Sequence, residues 1–153
     1  MRLTKHTEYA LRILLFLGAR GEKDYLSAEE VSAAYQVSNH HLVKIVHVLG
    51  KHGILEVRRG RQGGFRLARD MADINLGALV RLTEPDFRLA ECFTDDEHGC
   101  PIDSVCTLIQ PLQEARDAFL AALDRYTLAD LVATPHLYQI RRAFNLGDQP
   151  SGN

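Results

Sequence analysis

All three cysteines of the chain, Cys92, Cys100 and Cys106, lie in the short acidic segment 90–108. Thiols gathered on one loop predict a shared ligand or a disulfide, whereas scattered cysteines are usually small core residues. Because the number of cysteines is odd, and because thiols stay reduced in the cytoplasm, metal or redox chemistry is favoured over a disulfide framework.

The amino-terminal segment predicts a cytoplasmic location. Its apolar run is interrupted by Glu8 and Arg12, which is not the pattern of a signal peptide. The run is also too short to span a bilayer. We therefore expect a protein that has no contact with a membrane.

The cysteine spacing C-x7-C-x5-C is wider than the paired spacing of most structural zinc sites. Three thiolates on one loop are better suited to an iron-sulfur cluster, whose iron corners are well separated. A cubane cluster would need a further ligand for its remaining corner. A zinc-containing DNA-binding protein without a sensing role remains an alternative.

Charge is divided between two parts of the chain, although the formal net charge is only −2. Segment 38–69 has seven Lys or Arg and one acid, Glu56, whereas segment 84–103 has seven acids and one base, Arg88. The first segment could approach a polyanion and the second should avoid it. The cations are Lys44, Lys51, Arg58, Arg59, Arg61, Arg66 and Arg69, and the acids are Glu84, Asp86, Glu91, Asp95, Asp96, Glu97 and Asp103.

Apolar periodicity predicts a first helix over 5–19, ended by Gly18 or Gly21. Ser27 and Glu30 have the spacing of a capping box, which begins a second helix through about Tyr35. Ser38 or Asn39 caps a third helix, which ends at Gly53 and has an apolar face formed by Leu42, Ile45, Val46 and Leu49. Two β-like runs, 54–58 and 65–68, surround a glycine-rich turn and predict a hairpin, and further helices are expected over 76–82 and 107–125.

Three helices followed by a hairpin have the outline of a winged helix-turn-helix. The predicted fold is therefore mainly α, with a winged helix-turn-helix, a cysteine-bearing cluster loop and a long dimerisation helix. The expected divisions are a DNA-binding domain over 1–83, a cluster loop over 84–107, a dimerisation helix and C-terminal helical segment over 108–146, and a disordered tail over 147–153.

Small polar residues at the start of the third helix suit base edges in the major groove, and a lysine one turn later suits a phosphate. Arginines among glycines at the hairpin tip could enter a narrow minor groove. We therefore predict an interface with double-stranded DNA. Its predicted residues are Ser38, Asn39, His40, His41 and Lys44 on the helix, and Arg58, Arg59, Arg61, Gln62 and Gly63 on the wing.

An enzymatic function is not expected. The glycine run "GRQGG" lies in a predicted hairpin and precedes a strand, whereas a nucleotide-binding glycine motif follows a strand and begins a helix.

Several motifs together resemble the iron-sulfur winged-helix repressors, the family that includes NsrR, RirA and IscR. They are "MRLTKHTEYALR", "VRRGRQGGFRLAR", the three-cysteine loop and "LDRYTLADLV", and the resemblance covers residues 1 to about 133. It implies a homodimer formed through the long helix, with an inverted-repeat operator and a cluster near the dimer interface.

The resemblance also implies a cluster of the 4Fe-4S type, rather than 2Fe-2S, bound by Cys92, Cys100 and Cys106. The fourth ligand in this pattern is a carboxylate from the other subunit, and the matching position holds Glu8 instead of Asp. An alternative is that Glu8 simply pairs with Arg12, one helical turn later.

Two signals are compatible with the resemblance. "YTLADL" and the carboxylate at position 8 favour an NsrR-type repressor, in which nitrosylation of the cluster by nitric oxide releases operator DNA. "AECFTDD" is also similar to RirA-type repressors, so an iron-responsive repressor remains an alternative.

Overall fold

The computed structural model describes residues 2–21, 25–60, 63–93 and 100–146, except for the side chain of Asp103. Arg61, Gln62, three of the predicted acids (Asp95, Asp96 and Glu97) and the expected tail 147–153 lie outside the described residues. In chain order the elements are α1 (Lys5–Arg20), α2 (Ala28–Tyr35), α3 (Asn39–Lys51), β1 (Leu55–Arg58), β2 (Gly64–Leu67), α4 (Leu76–Thr83), α5 (Ile109–Asp124), α6 (Leu128–Leu131) and α7 (His136–Ala143).

The first helix, α1, forms the centre of the core. Thr4 caps its start, because the hydroxyl accepts a hydrogen bond from the amide of Thr7. Gly21 ends it with a φ of 69°, a left-handed conformation that glycine adopts without steric cost. Eight of its residues are buried, including Ile13, Leu14 and Leu17.

The helix-turn-helix consists of α2 and α3. The predicted capping box is present: the amide of Ser27 donates to Glu30 over 2.9 Å, and the amide of Glu30 donates to the Ser27 hydroxyl over 3.3 Å. Gln36 makes the turn in the left-handed region, with a φ of 53°. The predicted apolar face of α3 is buried, and its members are Leu42, Ile45, Val46 and Leu49.

The hairpin follows α3 as predicted. Its strands β1 and β2 are antiparallel, with Leu55 opposite Leu67 and Arg58 opposite Gly64. The first strand begins one residue later than predicted, and the second begins one residue earlier. Backbone hydrogen bonds between Leu26 and Phe65, of 2.9 and 2.8 Å, attach the segment before α2 to β2.

The long helix α5 is attached to the rest of the chain mainly through α4. The guanidinium of Arg81 donates to the Asp124 carboxylate over 2.8 Å. This pair lies directly over Gly77, where a Cβ atom would come 1.9 Å from the Asp124 Oδ1 atom. Only Leu120 of the sixteen residues of α5 is buried.

The last helix, α7, packs back onto α1. Arg141 is buried, and its guanidinium donates to the carbonyl oxygens of Ala19, Arg20 and Leu146 over 2.7 to 2.9 Å. The ring of Phe144 lies 4.9 Å from that of Phe16. The architecture is mainly helical with a two-stranded wing, which confirms the predicted fold class, and none of the helices described is long and apolar enough to cross a membrane.

Candidate nucleic-acid interface and cysteine loop

The start of α3 presents polar groups to solvent. Ser38 is exposed at the N-cap position, and its hydroxyl makes no capping bond to the described part of the chain. His40 and Lys44 are also exposed, one turn apart on the same face. Ser38, His40 and Lys44 therefore lie where a duplex could contact them.

Asn39 and His41 contact neighbouring helices. The Asn39 amide donates to the Glu29 carboxylate of α2 over 3.1 Å. The imidazole of His41 stacks on the ring of Tyr9 in α1, with 6.4 Å between the centroids. These two side chains join α3 to the first two helices, a role that no local pattern could have indicated.

The wing carries exposed cations close to its tip. Arg58 and Arg59 are exposed, and the Arg58 guanidinium lies 5.8 Å from the centre of the Tyr25 ring. Gly63 closes the turn through a hydrogen bond from its amide to the Gly60 carbonyl oxygen, 2.9 Å long. A Cβ atom at Gly63 would come 2.4 Å from the Arg58 carbonyl oxygen, so the turn itself requires glycine at this position.

Two of the seven cations of segment 38–69 are hydrogen-bonded to other groups of the protein. Arg66 donates to Glu56 over 2.8 Å, and Arg69 donates to the carbonyl oxygens of Gly53 and His52 over 2.9 and 3.1 Å. Hydrogen bonds from Tyr25 and from Arg66 lower the pKa of Glu56, which is therefore ionised at neutral pH. The count of seven cations thus overstates the charge available to DNA.

The three cysteines are free thiols in the segment between α4 and α5. Cys92, in the single turn Glu91–Phe93, and Cys106 are partly buried, whereas Cys100 is exposed. Residues 94–99 between the first two cysteines lie outside the described part of the chain. Within that part, no group of three or more His, Cys, Asp or Glu side chains is arranged to hold a metal ion.

The donor set nevertheless fits an iron-sulfur cluster by its chemistry. Iron-sulfur clusters are held by thiolates, and all three thiols are free of disulfides. Glu8 lies on the first turn of α1, where its carboxylate accepts a hydrogen bond from Lys5 over 2.6 Å and another from Arg12. The hydrogen bond from Lys5 and the charge of Arg12 lower the pKa of Glu8, so an oxygen donor is ionised at neutral pH.

The Arg12 guanidinium connects Glu8 to two aromatic side chains, one of which contacts α3. Its Cζ atom lies 5.7 Å from the centre of the Tyr9 ring and 5.5 Å from that of Tyr35. Burial raises the pKa of Tyr35 to about 12. Because Tyr9 stacks on His41, a continuous set of contacts leads from the Glu8 carboxylate to the start of α3.

Two contacts attach the cysteine segment to α5 and to the start of α1. The Arg116 guanidinium of α5 lies 5.4 Å from the centre of the Phe93 ring, which is next to Cys92. At the other end of the segment, Glu84 accepts hydrogen bonds from the amide and the hydroxyl of Thr4 over 2.8 and 3.1 Å. In the sequence Glu84 is one of several acids, and nothing near it indicates its contact with α1, which is 80 residues away.

Comparison with solved structures supports the fold. A transcriptional regulator from Listeria innocua superposes with a TM-score of 0.70 at 27% identity, covering 88% of each chain. The sequence is also similar to proteins named as regulators. The HTH-type transcriptional regulator NsrR of Geobacillus kaustophilus is 52% identical over 132 residues, and that of Bacillus subtilis is 46% identical, each match covering 86% of this chain and 90% of the relative.

These relatives are transcriptional regulators, which confirms the prediction that the protein is not an enzyme. A family model described as an iron-dependent transcriptional regulator, Rrf2, matches residues 3–134. The matched range includes the winged helix-turn-helix, the cysteine segment, α5 and α6. The chain therefore belongs to the Rrf2 family of transcriptional regulators.

Proposed function

We propose that the protein is a homodimeric transcriptional repressor whose 4Fe-4S cluster senses nitric oxide and whose operator is released when the cluster is nitrosylated. The observation that carries this proposal is the confinement of all three cysteines to one segment, in a chain 52% identical to a regulator named NsrR. The nitric oxide signal itself is implied by the resemblance to NsrR-type repressors.

Cys92, Cys100 and Cys106 would hold the cluster, and Glu8 of the other subunit would supply the remaining ligand. In the single chain the Glu8 carboxylate is engaged by Lys5 and Arg12. Because both contacts are partly exposed ion pairs, they contribute little to stability and could be exchanged for an iron ligand at small cost. When bound, the cluster supplies an iron that a small diffusible ligand can attack.

The exposed apolar surface of α5 supports a homodimer. Leu108 is 61% exposed at the start of the helix, and Leu112, Phe119 and Leu123 are only partly buried. Ile102 and Val105, 54% and 73% exposed, extend this surface into the cysteine segment. A second copy of the chain would remove these side chains from water and would bring the two cysteine segments close to the interface.

Operator binding would use the exposed residues of α3 and the wing. Ser38, His40 and Lys44 would contact the major groove, while Arg58, Arg59, Arg61 and Gln62 would contact the backbone or the minor groove. Asn39 and His41 would hold α3 in position through Glu29 and Tyr9. Gly63 would contribute through the shape of the turn.

Coupling between the cluster site and the DNA interface would follow the contacts of Glu8 and Phe93. A Glu8 carboxylate that does not hold the cluster would pair with Arg12, whose guanidinium lies near the Tyr9 and Tyr35 rings, and the Tyr9 ring stacks on His41 of α3. A change in the conformation of the cysteine segment would also act on Arg116 of α5 through its contact with Phe93. Both changes would alter the spacing of the two α3 helices in the dimer, and a symmetric operator requires a fixed spacing.

An anaerobic titration of the brown protein with nitric oxide tests the proposal. The visible absorbance and the binding of operator DNA are followed in the same samples, and we expect both to be lost together. Cys106→Ala should lack the cluster absorbance and the response to nitric oxide, whereas Ser104→Ala, an exposed neighbour, should behave like the wild type.

Three other outcomes would contradict the proposal in different ways. DNA binding that persists in nitric oxide but is lost when iron is chelated would indicate an iron-responsive repressor. A colourless protein prepared without oxygen would indicate zinc. A full cluster spectrum in Cys106→Ala would remove that residue from the ligand set.

A further inference from the structure

Val43 is an exposed apolar side chain on α3, the helix that would enter the major groove. It is 54% exposed, whereas the neighbouring Leu42 and the other apolar positions Ile45, Val46 and Leu49 are buried. The structure describes α3 in full, and Val43 is the one apolar residue among its exposed side chains. Burial in the core therefore does not explain why an apolar residue is found at this position.

The surroundings of Val43 favour a polyanionic partner. His40 and His47 lie on the same helical face as Val43, about one turn before and after it, and the exposed Lys44 is the next residue. The helix contains no Asp or Glu, and the Lys44 ammonium makes no ion pair with any described residue. A protein surface of mixed charge is thus a poorer match for this face than the phosphate-lined groove of a duplex.

The position of Val43 along the helix suits contact with a base. It is in the first half of α3, which begins at Asn39, and recognition helices contact base edges through their N-terminal residues. A valine in a helix has one strongly preferred rotamer. Its methyl groups are therefore held in place before DNA binds.

We infer that Val43 contacts the 5-methyl group of a thymine in each operator half-site and so selects T·A over the other base pairs at that position. Valine can neither donate nor accept a hydrogen bond through its side chain, so it cannot discriminate by the donor and acceptor pattern of a base. The thymine methyl group is the apolar feature of the major groove, and apolar side chains recognise it by contact. This inference rests on the proposed function as a DNA-binding repressor.

The first step of the test is selection of an operator from random duplexes with the brown, full-length protein under anaerobic conditions. Each thymine of the selected operator is then replaced in turn by deoxyuridine, symmetrically in both half-sites, which removes only the 5-methyl group. At one position we expect the wild type to bind about fourfold more weakly per half-site, the effect of exposing about one methyl group.

Two variants identify the residue responsible for the preference for thymine over uracil. Val43→Ala should bind the thymine operator more weakly and should no longer distinguish thymine from uracil at that position. Lys44→Ala is the matched control, since Lys44 is the next residue of the helix and is also exposed. It should weaken binding to every duplex because a phosphate is no longer neutralised, while the preference for thymine over uracil is kept.

The outcomes separate this inference from the proposed function. If the wild type selects an operator but Val43→Ala retains the same preference for thymine at every position, the inference is wrong and the proposed function stands. If the wild type selects no duplex at all, both are overturned. Equal loss of the thymine preference in Lys44→Ala would also count against a specific contact by Val43.

Discussion

The cationic side chains of the wing region differ in what they bind, although their charges are the same. The Arg59 guanidinium is exposed near the tip of the hairpin. Arg69 instead donates to the carbonyl oxygens of His52 and Gly53, at the end of α3. Helix ends leave carbonyl oxygens without helical partners, and an arginine can satisfy them. One arginine is thus available for phosphate, while the other stabilises the helix that reads the duplex.

This difference predicts distinct effects of two alanine substitutions on salt-dependent DNA binding. Arg59→Ala should reduce the slope of log affinity against log salt by about 0.9 for each phosphate that is no longer neutralised, or about 2 for a dimer. Arg69→Ala should leave the slope unchanged but should lower the free energy of unfolding by about 1 kcal/mol. Operator titrations between low and moderate salt, with urea unfolding of each variant, measure both effects. A reduced slope in Arg69→Ala would show that Arg69 contacts DNA directly.

At the scale of elements, the hairpin depends on a close approach between β2 and the segment before α2. A Cβ atom at Gly64 would lie 2.6 Å from the Leu26 carbonyl oxygen and 3.1 Å from the Tyr25 Cβ atom. Backbone hydrogen bonds between Leu26 and Phe65 fix this approach. The glycine thus allows the wing to join the core, where Phe65 and Leu26 are both buried.

Gly64→Ala should therefore destabilise the protein by about 1–3 kcal/mol, the usual cost of overpacking a well-packed site. The clash involves a backbone atom, so rotation of a side chain cannot relieve it. Arg58→Ala, at the opposite position in the register, is the matched control and should change the free energy of unfolding by about 0.5 kcal/mol or less. Urea unfolding at equal protein concentration compares them, and equal stability would mean that the wing can move away from Leu26.

Local signals explain which elements were predictable. The capping box of Ser27 and Glu30 and the periodic apolar face of α3 involve residues a few positions apart, and both were predicted correctly. The end of α1 was predicted at Gly18 or Gly21, and it lies at Gly21. The partners of Arg69 and Glu84, and the partners of Arg141 in α1, were not predicted, because they are 16 to 122 residues away. The cluster chemistry inferred from the cysteine spacing stays a prediction, and no local pattern could predict the contact of this segment with Arg116.

At the scale of the whole molecule, the single chain leaves the apolar side of its long helix in water. The helix α5 has one buried residue, although α1, of equal length, has eight. Isolated apolar surface of this kind is a common sign of an interface. In a symmetric homodimer each residue of the interface occurs twice, so a single substitution changes two positions.

Leu112→Glu should therefore convert the proposed dimer to a monomer. Loss of a buried leucine costs about 1.5–3 kcal/mol per subunit. Twofold symmetry doubles this cost, so the dimer dissociation constant should rise at least about a hundredfold.

Gln113→Glu adds the same charge at an adjacent exposed position and should remain dimeric. Sedimentation equilibrium measures the dissociation constants, and operator titration should show weaker binding for Leu112→Glu because one subunit can reach only one half-site. A Leu112→Glu protein that stays dimeric with an unchanged constant would show that α5 is not the interface.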